Sequence, residues 1–230
     1  MRLAVVTGAS SGIGKAISLR LLALGYRVIG VSRTSCEEMI KQSNFTSVNT
    51  DLSNEKETLK LCEILQKESL TILINAAGFG RFEPHEELSA KTITDMTFLN
   101  LTAPMLLTNT LLRSLKENDG YLININSIEA IRASKFAGVY SATKAGLKAF
   151  SDALFEETRK SGLSITNINP DMTESGFYEK LRFETSKKEN EKLLCEDIAD
   201  AVGHILSMRK GAVVSDYTIR SLNFGISKKK

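Results

Sequence analysis

The sequence predicts an α/β fold: one doubly wound domain over residues 1–230, with a parallel sheet of about seven strands and helices on both faces. Three observations predict it. Short runs rich in Val, Ile and Leu alternate with helical periodicity from end to end. The runs are continuously apolar, as strands buried on both faces must be. The first run, Leu3-Ala4-Val5-Val6, leads into Thr7-Gly8-Ala9-Ser10-Ser11-Gly12-Ile13-Gly14, and an amphipathic segment follows at once.

The strand-like runs fall at residues 3–6, 27–31, 45–48, 71–74, 121–125, 163–168 and 213–219. Helical periodicity fills residues 14–24, 55–66, 89–115, 139–160 and 197–208. No repeat, low-complexity tract or linker divides the chain. The least regular stretch is 172–192, which carries Phe177, Tyr178 and Phe183. It reads as a flap over a substrate site or as a plain surface excursion.

Composition narrows the function classes. Hydrophobic residues at 42% and charged residues at 25% are ordinary globular values. A net charge of +3 is too small to argue for nucleic acid or a membrane surface. Cys36, Cys62 and Cys195 lie far apart, fit no zinc spacing and suit a reducing compartment. No metal-ligand spacing involves His85 or His204, so no metal is expected. The chain starts directly in a strand, with no leader pattern and no apolar run approaching membrane-spanning length, so cytoplasm is the expectation. Lys228-Lys229-Lys230 reads as a solvated tail.

The glycine turn suggests a dinucleotide site. Glycines let the turn be tight and let backbone approach a pyrophosphate. The helix behind it aims free N–H groups at the same phosphates. The spacing G-x-x-x-G-x-G differs from the commoner G-x-G-x-x-G. Its place after the first strand is what gives it weight.

In such a sheet, ligands sit beyond the carboxyl ends of the strands, so the residues after each strand are the informative ones. Ser32-Arg33 follows the second. A hydroxyl and a guanidinium suit a 2′-phosphate, although Arg33 also reads as a surface residue. Asp51-Leu52 follows the third; Asp51 could accept from an adenine amino group or cap the next helix. Asn75-Ala76-Ala77-Gly78 follows the fourth, its small residues letting backbone come near a flat ligand. Asn100 sits inside a helical pattern and needs a polar partner. The fifth run leads to Asn126-Ser127, and Tyr140-Ser141-Ala142-Thr143-Lys144 opens the longest helix. Tyr140 and Lys144 stand at i and i+4 on one face. A nearby cation favours the phenolate and would lower the Tyr140 pKa, which is the tuning that acid–base work needs. Ser127 can hold a carbonyl oxygen. Glu129 could touch substrate, with a solvated acid as the default.

Together these residues resemble the short-chain dehydrogenase/reductase family over nearly the whole chain. Residues 7–14 match its T-G-x-x-x-G-I-G turn and 75–78 its N-A-A-G motif. Asn100, Ser127, Tyr140 and Lys144 match its catalytic tetrad in order. The resemblance implies a Rossmann fold and an oxidoreductase that interconverts a carbonyl and a secondary alcohol. Ser32-Arg33 resembles the NADP-preferring members, so NADP(H) is expected over NAD(H). Gly8, Ser10, Ser11, Gly12, Ile13, Gly14, Ser32, Arg33, Asp51, Leu52, Asn75, Ala76, Ala77, Gly78, Tyr140, Lys144, Pro170 and Thr173 would bind the coenzyme. Tyr140 would give or take the proton, Lys144 lower its pKa and hold the nicotinamide ribose, Ser127 orient the substrate, and Asn100 anchor a water. The partner would be a small carbonyl or alcohol, with no nucleic acid or membrane. A homodimer or homotetramer is implied by the two long helices.

The chain departs from the family pattern in three places. Asp171 replaces a glycine after Pro170 and brings Thr173 one position nearer. Ser11 stands where some NADP-using members carry a second base. The C-terminal segment lacks the glycine-rich ending of many members, which argues against the tetramer. A non-catalytic nucleotide-binding regulator on the same fold is the alternative reading.

Overall fold

The structure, a computed structural model, describes residues 1–229. The chain begins with β1 (Leu3–Thr7), α1 (Gly12–Ala23), β2 (Arg27–Ser32), a one-turn α2 (Glu37–Ile40) and β3 (Phe45–Asn49). Next come α3 (Glu55–Leu65), β4 (Leu70–Asn75), α4 (Ala90–Thr97), α5 (Ala103–Glu117) and β5 (Tyr121–Ile125). Then follow α6 (Gly138–Thr158), β6 (Ser164–Pro170), β7 (Phe183–Thr185), α7 (Cys195–Ser207), β8 (Asp216–Ile219) and β9 (Ile226–Lys228).

Seven strands make one parallel sheet in the order β3-β2-β1-β4-β5-β6-β8. The order reverses between β1 and β4, which opens a crevice at their carboxyl ends. The alternation of side chains along each strand builds two cores. Leu3 and Val5 face Leu61, Leu65, Leu107, Leu111 and Leu154 of α3, α5 and α6. Ala4 and Val6 face Ile17, Leu21, Ile198, Val202 and Ile205 of α1 and α7. Each fully buried Leu or Ile contributes about 2 kcal/mol by leaving water. The sequence expectation of a doubly wound sheet with helices on both faces is what the chain forms.

Two expected elements have other bounds. The helical pattern over 89–115 is not one helix: residues Phe98–Thr102 widen into a π-helical turn between α4 and α5. Such turns shift the register of side chains, and this one buries Asn100. The strand expected from residue 213 starts at Asp216, because residues 211–215 form a connection.

Residues 172–192 have structure of their own. They hold short turns at Gly176–Tyr178 and Glu189–Glu191 and the strand β7. β7 pairs antiparallel with β9, matching Phe183 to Lys228 and Thr185 to Ile226. Lys229 is therefore no free tail residue. Its backbone N–H donates to the Arg182 carbonyl at 3.0 Å, and its ammonium donates to the carbonyls of Tyr178 and Glu179. Lys228 is exposed within β9, and Lys230 lies outside the described residues. Among the described residues no helix is long and apolar enough to cross a membrane.

Candidate active site

The glycine turn sits at the crevice. Gly8 and Gly12 have φ of +71° and +53°, a left-handed conformation that glycine adopts at little cost. A Cβ on Gly14 would come within 2.3 Å of the Gly8 carbonyl oxygen, so no side chain fits there. Ser11 precedes α1 without capping it, and the first turn carries no acid. The N–H groups and the positive end of the helix are left for an anion. Ser10 is half-buried beside it, and Ile13 packs partly into the core, so that residue offers backbone only.

Thr7 stitches the turn to the next loop. Its hydroxyl oxygen accepts from the N–H groups of Ala76 and Ala77 at 2.9 and 3.0 Å. Gly8 passes so near Ala77 that a Cβ would sit 3.1 Å from its backbone. The residues after β1 and β4 thus form one continuous wall.

At the other edge of the wall, the Ser32 hydroxyl donates to the Thr34 carbonyl. Arg33 is exposed and forms no ion pair among the described residues. Asp51 accepts from the N–H and hydroxyl of Ser53. Partial burial works to raise the Asp51 pKa, but those bonds and the nearby Arg33 charge hold it below the usual carboxylate range. The helix cap of α3 is Asn54, not Asp51. Leu52 is buried in the core.

The four acid–base candidates converge. Gly78 lies between two of them: a Cβ there would be 3.1 Å from Asn100 Oδ1 and 3.6 Å from Lys144 Nζ. Asn100 accepts from Phe79 N at 3.1 Å and donates to the Phe79 carbonyl and the Thr143 hydroxyl. Its amide is almost fully spent on the protein, and one lone pair of Oδ1 is left for a water. Lys144 Nζ donates to the Ile125 carbonyl at 2.8 Å. The Ser127 hydroxyl accepts from Glu129 N at 3.2 Å and lies near enough to Tyr140 to favour its ionised form.

The electrostatics differ from the sequence expectation. Tyr140 and Lys144 are only 6% and 5% exposed. Burial is the largest effect on both, and it disfavours the charged form of each. Burial raises the Tyr140 pKa, with the nearby Ser127 hydroxyl opposing and the Glu129 charge adding to the rise. Lys144 is pushed down to about 8. Its Nζ stands 5.9 Å from the Tyr140 ring centre and points its proton at Ile125 instead of at the phenol. In this arrangement Lys144 does not lower the Tyr140 pKa, and Tyr140 is a protonated phenol at neutral pH.

The crevice floor was not anticipated from the sequence. Asn75, Asn124 and Asn167 stand side by side on β4, β5 and β6. Asn75 donates to Asn124, and Asn124 to the Ser151 hydroxyl of α6. Asn126 donates to Asn167, Asn167 to Asp152, and Asn169 to Asp216. The repeated Asn124-Ile125-Asn126 and Asn167-Ile168-Asn169 was the available signal: polar residues at every second place in an otherwise apolar strand share one face.

Glu129 is buried, not solvated. It accepts from Ser134 N, Ser134 Oγ and Ser141 Oγ, which fixes the loop before α6. Arg132 reaches both Glu129 and Asp171, at 3.4 and 3.6 Å. Asp171 is also paired with Arg220 at 3.3 Å. The acid in the glycine position therefore anchors the chain where it leaves Pro170 at the end of β6. The Thr173 hydroxyl donates to the Asp171 carbonyl and is buried.

An aromatic group covers this arrangement. Phe82 and Phe177 pack on Tyr140 with ring centres 5.3 and 5.8 Å away, and Tyr178 and Phe183 continue the cluster. The same segment brings Ser175 against the glycine turn, where a Gly12 Cβ would meet it at 3.3 Å.

Comparison with known proteins gives the family and the fold. A sequence profile of the short chain dehydrogenases matches residues 2–186. A human protein described as dehydrogenase/reductase SDR family member 11 is 33% identical, over 95% of this chain and 94% of its own. The solved structure of an alcohol dehydrogenase from Thermococcus sibiricus, complexed with 5-hydroxy-NADP, superposes with a TM-score of 0.86 at 25% identity, over 96% of this chain and 97% of that one. A 4-hydroxyisoleucine dehydrogenase mutant complexed with NADH and succinate gives 0.85 at 25% identity, covering 96% and 97%. This chain belongs to the short-chain dehydrogenase/reductase family of oxidoreductases.

Proposed function

We propose that the protein is an NADP(H)-dependent reductase of a small carbonyl compound, with Tyr140 as the general acid. The observation that carries this is the meeting of a buried, protonated Tyr140 with Ser127, Lys144 and Asn100 beside an uncapped helix N-terminus. A phenol that stays protonated at neutral pH suits donation to a carbonyl oxygen. A nicotinamide dinucleotide, when bound, supplies the hydride. Ser127 would share the oxygen with Tyr140, and Lys144 would hold the nicotinamide ribose. Asn100 holds the loop of Gly78 and Phe79 in place. The uncapped α1 and the bare Gly8, Gly12 and Gly14 would hold the pyrophosphate. Arg33, exposed and unpaired, would hold a 2′-phosphate, and Asp51 the adenine. Residues 172–192 would be the substrate lid.

Three free cysteines fit the reducing cytoplasm. The resemblance of the α5 and α6 region to the family's dimer-forming helices supports a homodimer. The regulator reading has no use for four acid–base residues in one place.

The test is a titration of purified protein with NADPH and NADH, followed by turnover on a carbonyl panel. NADPH should bind more tightly than NADH, by about 1.5 kcal/mol or more, as a charge-assisted contact requires. Arg33→Ala should remove that difference. Tyr140→Phe should bind the coenzyme normally and lose about 1000-fold in kcat. Equal binding of both coenzymes defeats the NADP assignment, and undiminished turnover in Tyr140→Phe defeats the acid.

A further inference from the structure

We infer that the substrate is an uncharged carbonyl compound with a flat aromatic or alicyclic body, received between Phe82 and Phe177, and that these two rings set the specificity. The inference rests on the reductase reading above. It identifies the chemical class that the site accepts.

The walls in front of Tyr140 are aromatic. Phe82 comes from the loop after β4, and Phe177 from the turn Gly176–Tyr178. Their ring centres lie 6.5 Å apart at 72°, and each also packs on the Tyr140 ring. Phe183 closes the group at 5.3 Å from Phe82. Gly80 makes room for them: a Cβ there would come within 2.8 Å of both phenylalanine rings. These rings now satisfy one another by edge-on contact. A flat apolar body that parts them returns contacts of the same kind. A charged or heavily hydrated body returns none and must shed its water.

The charges around the rings point the same way. Glu129 lies close enough to raise the Tyr140 pKa, and Asp171 close enough to raise that of Tyr178. Both acids are buried. Arg132 is already shared between them, and Arg220 is spent on Asp171. The Lys144 ammonium is held by Ile125 on the crevice side. A carboxylate on the substrate would thus find Arg132 and Arg220 already engaged by buried acids, and Arg81 and Lys229 turned to backbone carbonyls of the cover. Acidic and phosphorylated carbonyl compounds are disfavoured on this ground, and neutral aromatic ones are favoured.

The experiment compares 4-methylbenzaldehyde with 4-carboxybenzaldehyde, which are alike in shape and differ in charge. The coenzyme is whichever of NADPH and NADH binds. The neutral aldehyde should lead in kcat/KM by at least about 100-fold. Phe177→Ala should cut kcat/KM for it by about tenfold, mainly through KM, with coenzyme affinity unchanged. Phe177→Leu, which keeps the apolar bulk and removes the ring, should fall between. Calorimetric binding of 4-methylbenzyl alcohol and 4-carboxybenzyl alcohol to the complex with reduced coenzyme, which cannot accept a hydride from an alcohol, gives a readout without turnover. Tight binding of the neutral alcohol, weakened in Phe177→Ala, upholds the class even where no turnover is seen, and then only the reductase reading falls. Turnover that ignores both the charge and Phe177 overturns the class and leaves the reductase reading standing. Equal or better use of the carboxylate overturns it, as does binding of neither alcohol.

Discussion

The floor beneath Tyr140 and the cover above it are built on different principles. The floor is three neighbouring parallel strands whose asparagines hydrogen-bond across the sheet and into α6. The cover is a three-residue strand pair and one lysine, with aromatic rings filling the space between. The floor fixes the positions of Asn75, Ser127 and Lys144 through buried polar bonds that are costly to leave unmade. The cover is fixed mostly by apolar contact, which is non-directional and can be exchanged for contact with something else. Under the function proposed above, chemistry would be seated on the first kind of structure and selection of what reaches it on the second.

The largest effect should come from cutting the floor. Asn124→Ala leaves the buried Asn75 amide without its acceptor and the Ser151 hydroxyl with only its Leu147 bond, in a place where Asn75 Oδ1 already lacks a partner. Urea unfolding should show a loss of about 3 kcal/mol. A loss near zero would mean that the ladder is not a structural support.

Lys144 offers a smaller effect of opposite sign. Its folded pKa of about 8 lies below the ordinary 10.5, so burying the charge costs stability at neutral pH. The shift corresponds to about 3 kcal/mol, offset in part by the Ile125 hydrogen bond. Lys144→Met should be inactive yet more stable at pH 7, by about 2 kcal/mol. The cost is in full force below pH 8, where the lysine is charged in both states. It fades between pH 8 and 10.5, where the folded protein releases the proton and the unfolded chain keeps it. Melting curves across that range should show the advantage of the variant shrinking as pH rises.

The smallest effect on stability should come from the cover. Lys229→Ala removes donors to two carbonyls of a half-exposed turn and should lower stability by about 1 kcal/mol at most. It should raise substrate KM while leaving coenzyme affinity alone. If instead it destabilises as much as Asn124→Ala, the cover is as firmly built as the floor, and the contrast between them disappears.

This contrast also separates what the sequence could and could not show. The glycine turn, the loop of Asn75 to Gly78 and the pair Tyr140 and Lys144 are legible because one local constraint dictates each: a bare backbone, or a fixed helical spacing. Asn100 stands out as a polar residue in a helix, but the π-helical turn that buries it depends on Phe79 and Thr143, which are distant in sequence. Glu129 looks like an exposed acid because its partners Ser134 and Ser141 become visible only once the loop closes. The sign of the Tyr140 shift was missed because spacing reveals a nearby cation and not the burial that outweighs it. β7 and β9 are three residues each, too short for any periodicity, and forty positions of chain separate them.

The stitching of β9 to β7 has a mechanical consequence. A load applied at Lys229 pulls first on the pair of Lys228 and Phe183 and peels the short strands apart one residue at a time, drawing on the segment that shields Tyr140. A load applied at Met1 acts instead on β1, which is clamped along its length between β2 and β4 and must be sheared from both at once. Immobilised on a sensor chip through its amino-terminal end, the protein keeps its cover undisturbed. Immobilised through Lys229, it is held by the strap that keeps the cover closed.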